Sequence, residues 1–432
     1  MKLFGTSGIR RIADRDLIEL AFKVGMAVAR HYKSVVVGRD TRTSGDAVKH
    51  AFISGVLTAG AKCCDAGILP TPSLALKTGE FQAGAMITAS HNPPEYNGIK
   101  LINPGGSAFD AGQQEQIEKL VSKDAFIAEH WDELGSSVTD EEAVEEHIEH
   151  ILKNTPDKLK LKVVLDCGCG AGSVITPELL KRLGCEVTAI NSYPTGFFPR
   201  AVEPTEDNLQ DLIQATKELG ADLGIAHDGD ADRMMAVDDK GRFISGDKLL
   251  ALFARQADAK KVVTTIDASM VIDEMGFDVI RTPVGDTYVS DELKRDGDFG
   301  GEPSGSWVFP ENSLCPDGIF AAARIAVIAG KQKLSELVDN IPQYPIIRGS
   351  VTGGTIVESE LESKLKALEP VSMNTIDGIK LNFKDAWLLI RASGTEPKTR
   401  ITAEAKDEMR LKELYEAGVG IINEHIKEIG EK

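Results

Sequence analysis

Ser34-Val-Val-Val-Gly-Arg-Asp40 is a short β-branched run that ends in an aspartate. The chain repeats this shape twice, as Lys162-Val-Val-Leu-Asp166 and Lys261-Val-Val-Thr-Thr-Ile-Asp267. Small residues and then a helix-like stretch follow each run. Continuous apolar runs of this length read as buried strands of an α/β layer structure, with functional loops at their carboxyl ends. Their valines recur at 35, 163 and 262. That spacing is too wide for a solenoid and fits successive domains of similar design.

Working outward from these strands, 432 residues suggest about three domains at ~150 residues each. Composition divides the chain further. An acidic stretch at 123–150 reads as a solvated helix leading into the second strand. Asp238-Asp-Lys-Gly-Arg242 is a polar turn, and Asn340-Ile-Pro-Gln-Tyr-Pro345 reads as a linker. Beyond it lies a smaller unit, β-rich at 381–391 and 400–404, closed by an amphipathic helix near 408–429. The expected units are 1–140, 141–240, 241–342 and 343–432.

Lys and Arg total 49 against 67 Asp and Glu, a formal charge of −18. Such a balance repels polyanions and argues against a nucleic-acid or membrane-surface protein. Residues 123–150 carry ten acids and one base, whereas residues 1–45 carry nine bases and four acids. The expectation is an acidic exterior around a basic pocket, with Arg39 and Arg42 among the pocket's cations. The start lacks an apolar signal segment, and no apolar run reaches the ~18 residues of a membrane span. The Cys167-Gly-Cys169 pair lacks zinc spacing, so the six cysteines fit a reducing cytoplasm.

Five loops carry candidate chemistry. Asp228-Gly-Asp-Ala-Asp-Arg233 lies between two apolar runs. In an extended chain its three carboxylates share one side, and three anions so close call for a hard cation such as Mg²⁺. An EF-hand would need Gly and Glu where Arg233 and Asp239 stand. Thr88-Ala-Ser-His-Asn-Pro-Pro94 follows another apolar run and has two readings. Either it displays Ser90 as a nucleophile, or it is an ST- or Asx-turn without chemistry. It is not a Gly-x-Ser-x-Gly elbow. Lys100 supplies charge or a proton, or is simply a surface lysine. Arg391-Ala-Ser-Gly-Thr-Glu-Pro397 is either an anion cradle, with Lys398 and Arg400 nearby, or a hairpin turn. Gly300-Gly-Glu-Pro-Ser-Gly305 offers a carboxylate and a hydroxyl to sugar hydroxyls, a weak signal alone. Gly5-Thr-Ser-Gly-Ile-Arg10 is a further loop of glycines, hydroxyls and an arginine.

The set and its order resemble the α-D-phosphohexomutases, the family of phosphoglucomutase, phosphomannomutase and phosphoglucosamine mutase. The resemblance runs from residue 5 to about 404. It implies four domains around a central cleft, the first three α/β with mixed sheets of related topology and the fourth a smaller α+β domain. It implies that Ser90 is a phosphoserine and that Asp228, Asp230 and Asp232 hold Mg²⁺ together with it. Arg10, His91 and Lys100 match positions around the transferring phosphoryl group. Glu302 and Ser304 would face sugar hydroxyls, and Arg391, Ser393, Gly394 and Thr395 would grip the phosphate that is not reacting. Arg233 and Arg400 complete the substrate-binding set. The implied reaction interconverts hexose 6- and 1-phosphates through a 1,6-bisphosphate, in a cytoplasmic monomer or homodimer. Thr282-Pro-Val-Gly-Asp-Thr-Tyr-Val289 resembles the phosphoglucosamine mutase branch and its archaeal relatives, which implies glucosamine 6-phosphate as substrate. Dual glucose and mannose phosphate specificity is the alternative, ahead of a Mg²⁺-dependent sugar phosphatase or a non-catalytic paralogue. Many relatives have His where Ser306 stands, so that residue's role does not transfer.

Overall fold

A computed structural model describes residues 2–124, 126–153, 155, 158–352, 358–392 and 398–430. Its strands are β1 (Ile9–Ile12), β2 (Ser34–Arg39), β3 (Lys62–Ile68), β4 (Ala83–Ile87), β5 (Tyr96–Ile102), β6 (Ser137–Thr139), β7 (Lys162–Asp166), β8 (Glu186–Ile190), β9 (Leu223–His227), β10 (Met234–Val237), β11 (Phe243–Ile244), β12 (Lys261–Thr265), β13 (Asp278–Thr282), β14 (Phe299–Gly301), β15 (Trp307–Val308), β16 (Ile346–Thr352), β17 (Ser372–Asn374), β18 (Ile379–Asn382), β19 (Ala386–Ala392) and β20 (Lys398–Ala405). The three β-branched runs are β2, β7 and β12. Two compact units emerge, one of residues 1–259 and 285–340, the other of 260–284 and 341–432.

The first unit holds two mixed sheets. One runs β1-β5-β4-β2-β3-β6, with β2 parallel to β3 and β4 while β5 is antiparallel to β4 and β1. The other runs β11-β10-β9-β7-β8, with β7 parallel to β8 and β9, and β9, β10 and β11 antiparallel in turn. Val35, Val37, Val163 and Val164 are almost wholly buried, as continuous apolar runs in covered sheets must be. This unit also contains the antiparallel β14–β15 pair.

The acidic stretch departs from the single solvated helix expected of it. Residues 137–139 form a strand parallel to β3. The helix, Ala143–Lys153, is amphipathic rather than solvated all round and buries Ala143, His147, Ile148 and Ile151. Its i, i+4 spacing supplies an apolar face that composition alone conceals. The opposite face stays in water, where Glu145 and Glu149 meet Arg182.

In the second unit β12 and β13 are parallel, and the antiparallel sheet β16-β20-β19-β18-β17 is closed by the helix Glu408–Gly430. Glu404 takes bonds from Ser269 Oγ at 2.5 Å, Met270 N–H at 2.8 Å and Trp387 Nε1 at 2.5 Å. Lys380 donates to the Ile266 carbonyl at 2.6 Å from above the Trp387 ring. These buried bonds fix the segment after β12 to the antiparallel sheet. No helix among the described residues is long and apolar enough to cross a membrane.

The helices Arg15–His31 and Gly45–Thr58 approach backbone to backbone. A Cβ on Gly55 would stand 2.0 Å from the Phe22 carbonyl oxygen, and one on Gly25 would stand 2.2 Å from that of Phe52. Gly55→Ala should therefore lower stability by about 1–3 kcal/mol through overpacking, although alanine is the better helix former. Urea unfolding checks this, and a neutral or stabilising result would refute the close approach.

Candidate active site

The serine loop starts at the carboxyl end of β4. Thr88 Oγ1 donates to Asp40 Oδ2 at 2.6 Å and itself accepts the Ser90 N–H at 2.8 Å. Ser90 has φ 49°, a left-handed conformation that costs a non-glycine residue about 1 kcal/mol or more and persists only if its surroundings impose it.

Arg42 imposes it. Its Nη2 donates to the carbonyls of Ser90 and Asn92 at 2.7 Å each, and its Nη1 to those of Pro93 at 2.7 Å and Tyr96 at 2.9 Å. Nε meets Asp40 Oδ2 at 3.1 Å, and Asp40 Oδ1 accepts the Arg42 N–H at 2.9 Å. Both side chains are fully buried. Burial pushes the Asp40 carboxyl upward and the guanidinium beside it pulls the other way. Arg42 is thus no pocket-lining cation, because every guanidinium hydrogen is committed to the scaffold. Arg39 is likewise engaged, with Asp46 and the Asp40 carbonyl. The basic-pocket expectation fails for both.

The three aspartates occupy the β9–β10 hairpin loop. It is not the extended segment inferred from the spacing, since Ala231 has φ 54° and folds the loop into a compact turn. The carboxylates still converge, each offering an oxygen within 4.8 Å of the others. Gly229 lies so close to the serine loop that a Cβ would stand 2.6 Å from the Ser90 carbonyl oxygen. Ser90 Oγ donates to Asp228 Oδ2 at 2.8 Å. Lys100, buried rather than at the surface, donates to Asp230 Oδ2 at 2.7 Å and Asp232 Oδ2 at 2.6 Å. Thr71 Oγ1 donates to Asp230 Oδ2 at 2.5 Å. The Oδ1 atoms of Asp230 and Asp232 are buried with no hydrogen-bond partner.

These environments set the charges apart. Burial and then the charges of Asp232 and Asp230 push Asp228 well above the usual carboxylate range. Burial would also raise Asp230, but Lys100 and the Thr71 hydroxyl hold it well below. Asp232 is raised by burial and by Asp230, against Lys100. Burial disfavours the Lys100 ammonium, yet Asp230 and Asp232 outweigh it and keep the lysine charged. His91 has its Nδ1 3.3 Å from Ser90 Oγ. Burial, with Arg233, Arg10 and Lys100 around it, pushes His91 down to about 2, so the ring is neutral at physiological pH. Arg10 donates to Asn92 Oδ1 at 2.9 Å, and Arg233 pairs with Glu203 at 2.9 Å while its own Nε is buried without a partner.

Glu302 accepts the Gly285 N–H at 2.9 Å, which ties its loop to the start of the helix Asp286–Leu293. Ser304 Oγ is buried and unpartnered. Ser306 bridges Arg233 through its backbone, and Trp307 is buried with Nε1 on the Met234 carbonyl at 2.7 Å. This pair packs the site rather than lining it. The first unit therefore gathers Arg10, Ser90, His91, Lys100, the aspartates and Arg233, and holds Glu302 and Ser304 on the loop that packs against β10. In the second unit Arg391 and Arg400 are paired across β19 and β20. Arg391 Nη2 meets Asp377 at 2.7 Å, and its Nε is buried and unpartnered. Ser393, Gly394 and Thr395 lie outside the described residues.

Family profiles for phosphoglucomutase/phosphomannomutase alpha/beta/alpha domains I, II and III match residues 1–128, 145–241 and 245–344, and the profile for the C-terminal domain matches 356–419. The chain belongs to the phosphoglucomutase/phosphomannomutase family. A probable phosphoglucosamine mutase of Methanococcoides burtonii is 50% identical over 418 residues, covering 94% of this chain and 96% of that protein. A phosphoglucomutase/phosphomannomutase family protein of Burkholderia thailandensis has a crystal structure with TM-score 0.85 and 26% identity, covering 98% of this chain and 97% of its own. Aspergillus fumigatus N-acetylphosphoglucosamine mutase, crystallised with GlcNAc-6P and magnesium, shares the fold at TM-score 0.61 and 17% identity over 98% of this chain and 96% of its own. The chain is thus a four-domain α/β phosphohexomutase, with mixed α/β domains followed by a smaller antiparallel one.

Sequence reading of this phosphohexomutase missed Asp40, Thr88 and Thr71. For Asp40 the signal was Gly38-Arg-Asp-Thr-Arg42, a charged stretch at the end of a buried strand, and for Thr88 its place at the head of the serine loop; Thr71 had none. Arg42→Met should cost about 3–5 kcal/mol, because it leaves Asp40 buried without its partner. Arg42→Lys should recover only part, since an ammonium cannot span the carbonyls that the guanidinium fork reaches. Urea unfolding of both variants measures this, and a loss below about 1 kcal/mol for Arg42→Met would exclude the bracket.

Proposed function

We propose that this phosphohexomutase interconverts glucosamine 6-phosphate and glucosamine 1-phosphate through a phosphorylated Ser90. The observation that carries the reading is the placement of Ser90 Oγ, 2.8 Å from Asp228 within the buried aspartate cluster. Near-total coverage by a relative named as a probable phosphoglucosamine mutase supports the choice of sugar.

The donor set fits Mg²⁺. All the ligands are oxygens, and the buried Oδ1 atoms of Asp230 and Asp232 have no partner while both Oδ2 atoms are occupied by donors. Asp228, Asp230, Asp232 and Ser90 would hold the ion, which when bound supplies positive charge against the phosphoryl oxygens. The remaining chemistry belongs to side chains. The Ser90 Oγ–phosphorus bond breaks as a bond forms between phosphorus and the free O1 of glucosamine 6-phosphate. The sugar hydroxyl loses its proton, and Ser90 Oγ regains one. The 1,6-bisphosphate reorients, and Ser90 takes the phosphoryl group from O6 by the same steps reversed. Neutral His91 stands beside Oγ, and Lys100 and Arg10 add positive charge to the loop. Such transfer depends on positioning and electrostatics more than on covalent help. From the family resemblance, Glu302 and Ser304 would bind sugar hydroxyls. Arg233, Arg391, Ser393, Gly394, Thr395 and Arg400 would bind sugar and phosphate oxygens.

The test is a turnover panel of glucosamine, glucose and mannose 6-phosphates with catalytic hexose 1,6-bisphosphate and Mg²⁺. The highest kcat/KM is expected for glucosamine 6-phosphate, and Ser90→Ala should abolish turnover. A preference for glucose or mannose phosphate moves the substrate to the dual-specificity reading. Phosphate release exceeding isomerised product would identify a phosphatase, and an active Ser90→Ala would end the phosphoserine reading.

A further inference from the structure

Behind the aspartate loop lies a second buried hydrogen-bond chain. Ser73 Oγ is 2.8 Å from His147 Nδ1, and His147 Nε2 is 3.1 Å from Asp317 Oδ2. None of the three is more than 1% exposed. Ser73 lies in the helix Thr71–Lys77, His147 in Ala143–Lys153, and Asp317 caps Gly318–Lys331 by accepting the N–H groups of Ile319 and Phe320. The chain thus locks three helices to one another, and two of them bear directly on the aspartate loop. Thr71 gives its N–H to the Asp230 carbonyl at 3.0 Å and its hydroxyl to Asp230 Oδ2. At the start of the other helix, a Cβ on Gly318 would stand 2.5 Å from the Arg233 carbonyl oxygen and 2.7 Å from that of Ala231.

Asp230 can orient either oxygen toward a cation. With Thr71 and Lys100 both donating to Oδ2, that oxygen is saturated and the unpartnered Oδ1 is the one left to offer. We propose that Thr71, held by the Ser73–His147–Asp317 chain, is a positioning residue that selects the Asp230 oxygen presented to Mg²⁺. The proposal rests on the reading of the three aspartates as a cation site. Hydrogen-bonded partners of metal ligands typically contribute 10- to 100-fold to affinity.

Titration calorimetry with MgCl₂ on the full-length protein tests this without reference to turnover. Thr71→Val keeps the branched shape and the backbone N–H but lacks the hydroxyl, and should weaken Mg²⁺ about 10-fold. Thr71→Ser should restore affinity, a rescue that mere packing would not produce. Ser73→Ala breaks the chain at its other end and should weaken Mg²⁺ in the same direction, so the proposal stays testable if Thr71→Val does not fold. Wild-type affinity in a folded Thr71→Val, or in Ser73→Ala, overturns it. Asp230→Asn separates the two levels. If it abolishes binding while Thr71→Val leaves it unchanged, the cation site stands and the role of Thr71 falls. If Asp230→Asn itself binds Mg²⁺ as the wild type does, the cation reading falls with it.

Discussion

One buried guanidinium governs the shape of the serine loop. Arg42 commits its donors to the carbonyls of Ser90, Asn92, Pro93 and Tyr96 and to the Asp40 carboxylate. Backbone carbonyls that turn away from a sheet at a strand end still need partners when buried. A single rigid fork satisfies several of them and simultaneously fixes the spacing between them. The left-handed Ser90 is then a consequence of the bracket rather than a preference of the loop. Because the contacts are to main chain, the loop's side chains remain available for chemistry.

The aspartate loop solves a different problem, the concentration of negative charge in a buried site. Lys100 answers part of it by bridging Asp230 and Asp232, and the elevated proton affinity of Asp228 answers another part. Neither reaches the free Oδ1 atoms. The arrangement leaves an electrostatic deficit at a defined point, which a small divalent ion would fill. Fixed donors around that point mean little reorganisation when charge arrives, the condition under which electrostatic stabilisation of phosphoryl transfer is most effective.

Legibility in the sequence followed the range of the interactions. The buried strands were visible because burial on both faces writes itself into consecutive residues, as in β2, β7 and β12. Asp228, Asp230 and Asp232 were visible because unneutralised carboxylates at close spacing have few bland explanations. Their side chains converge through a bend at Ala231 and not by the alternation of an extended strand. Arg42 read as a pocket cation, and Lys100 was left open between a site and a surface role, because their partners lie 48 to 54 and 130 to 132 residues away. Local composition carries no trace of such pairings. The helix Ala143–Lys153 was misjudged for a related reason, because its net charge masked a narrow apolar face that meets the rest of the unit.

The chain Ser73–His147–Asp317 joins the three residue types of a serine-hydrolase triad with the imidazole reversed, Nδ1 toward the hydroxyl and Nε2 toward the carboxylate. Here it is sealed between helices, with no surface from which an acyl group could approach. A search by residue type and proximity alone would take this cluster for a hydrolase site. Ring orientation and access discriminate: the same three residue types are a nucleophile at a pocket wall and a polar rivet inside a core. Where a template match and solvent exposure disagree, exposure carries the functional information.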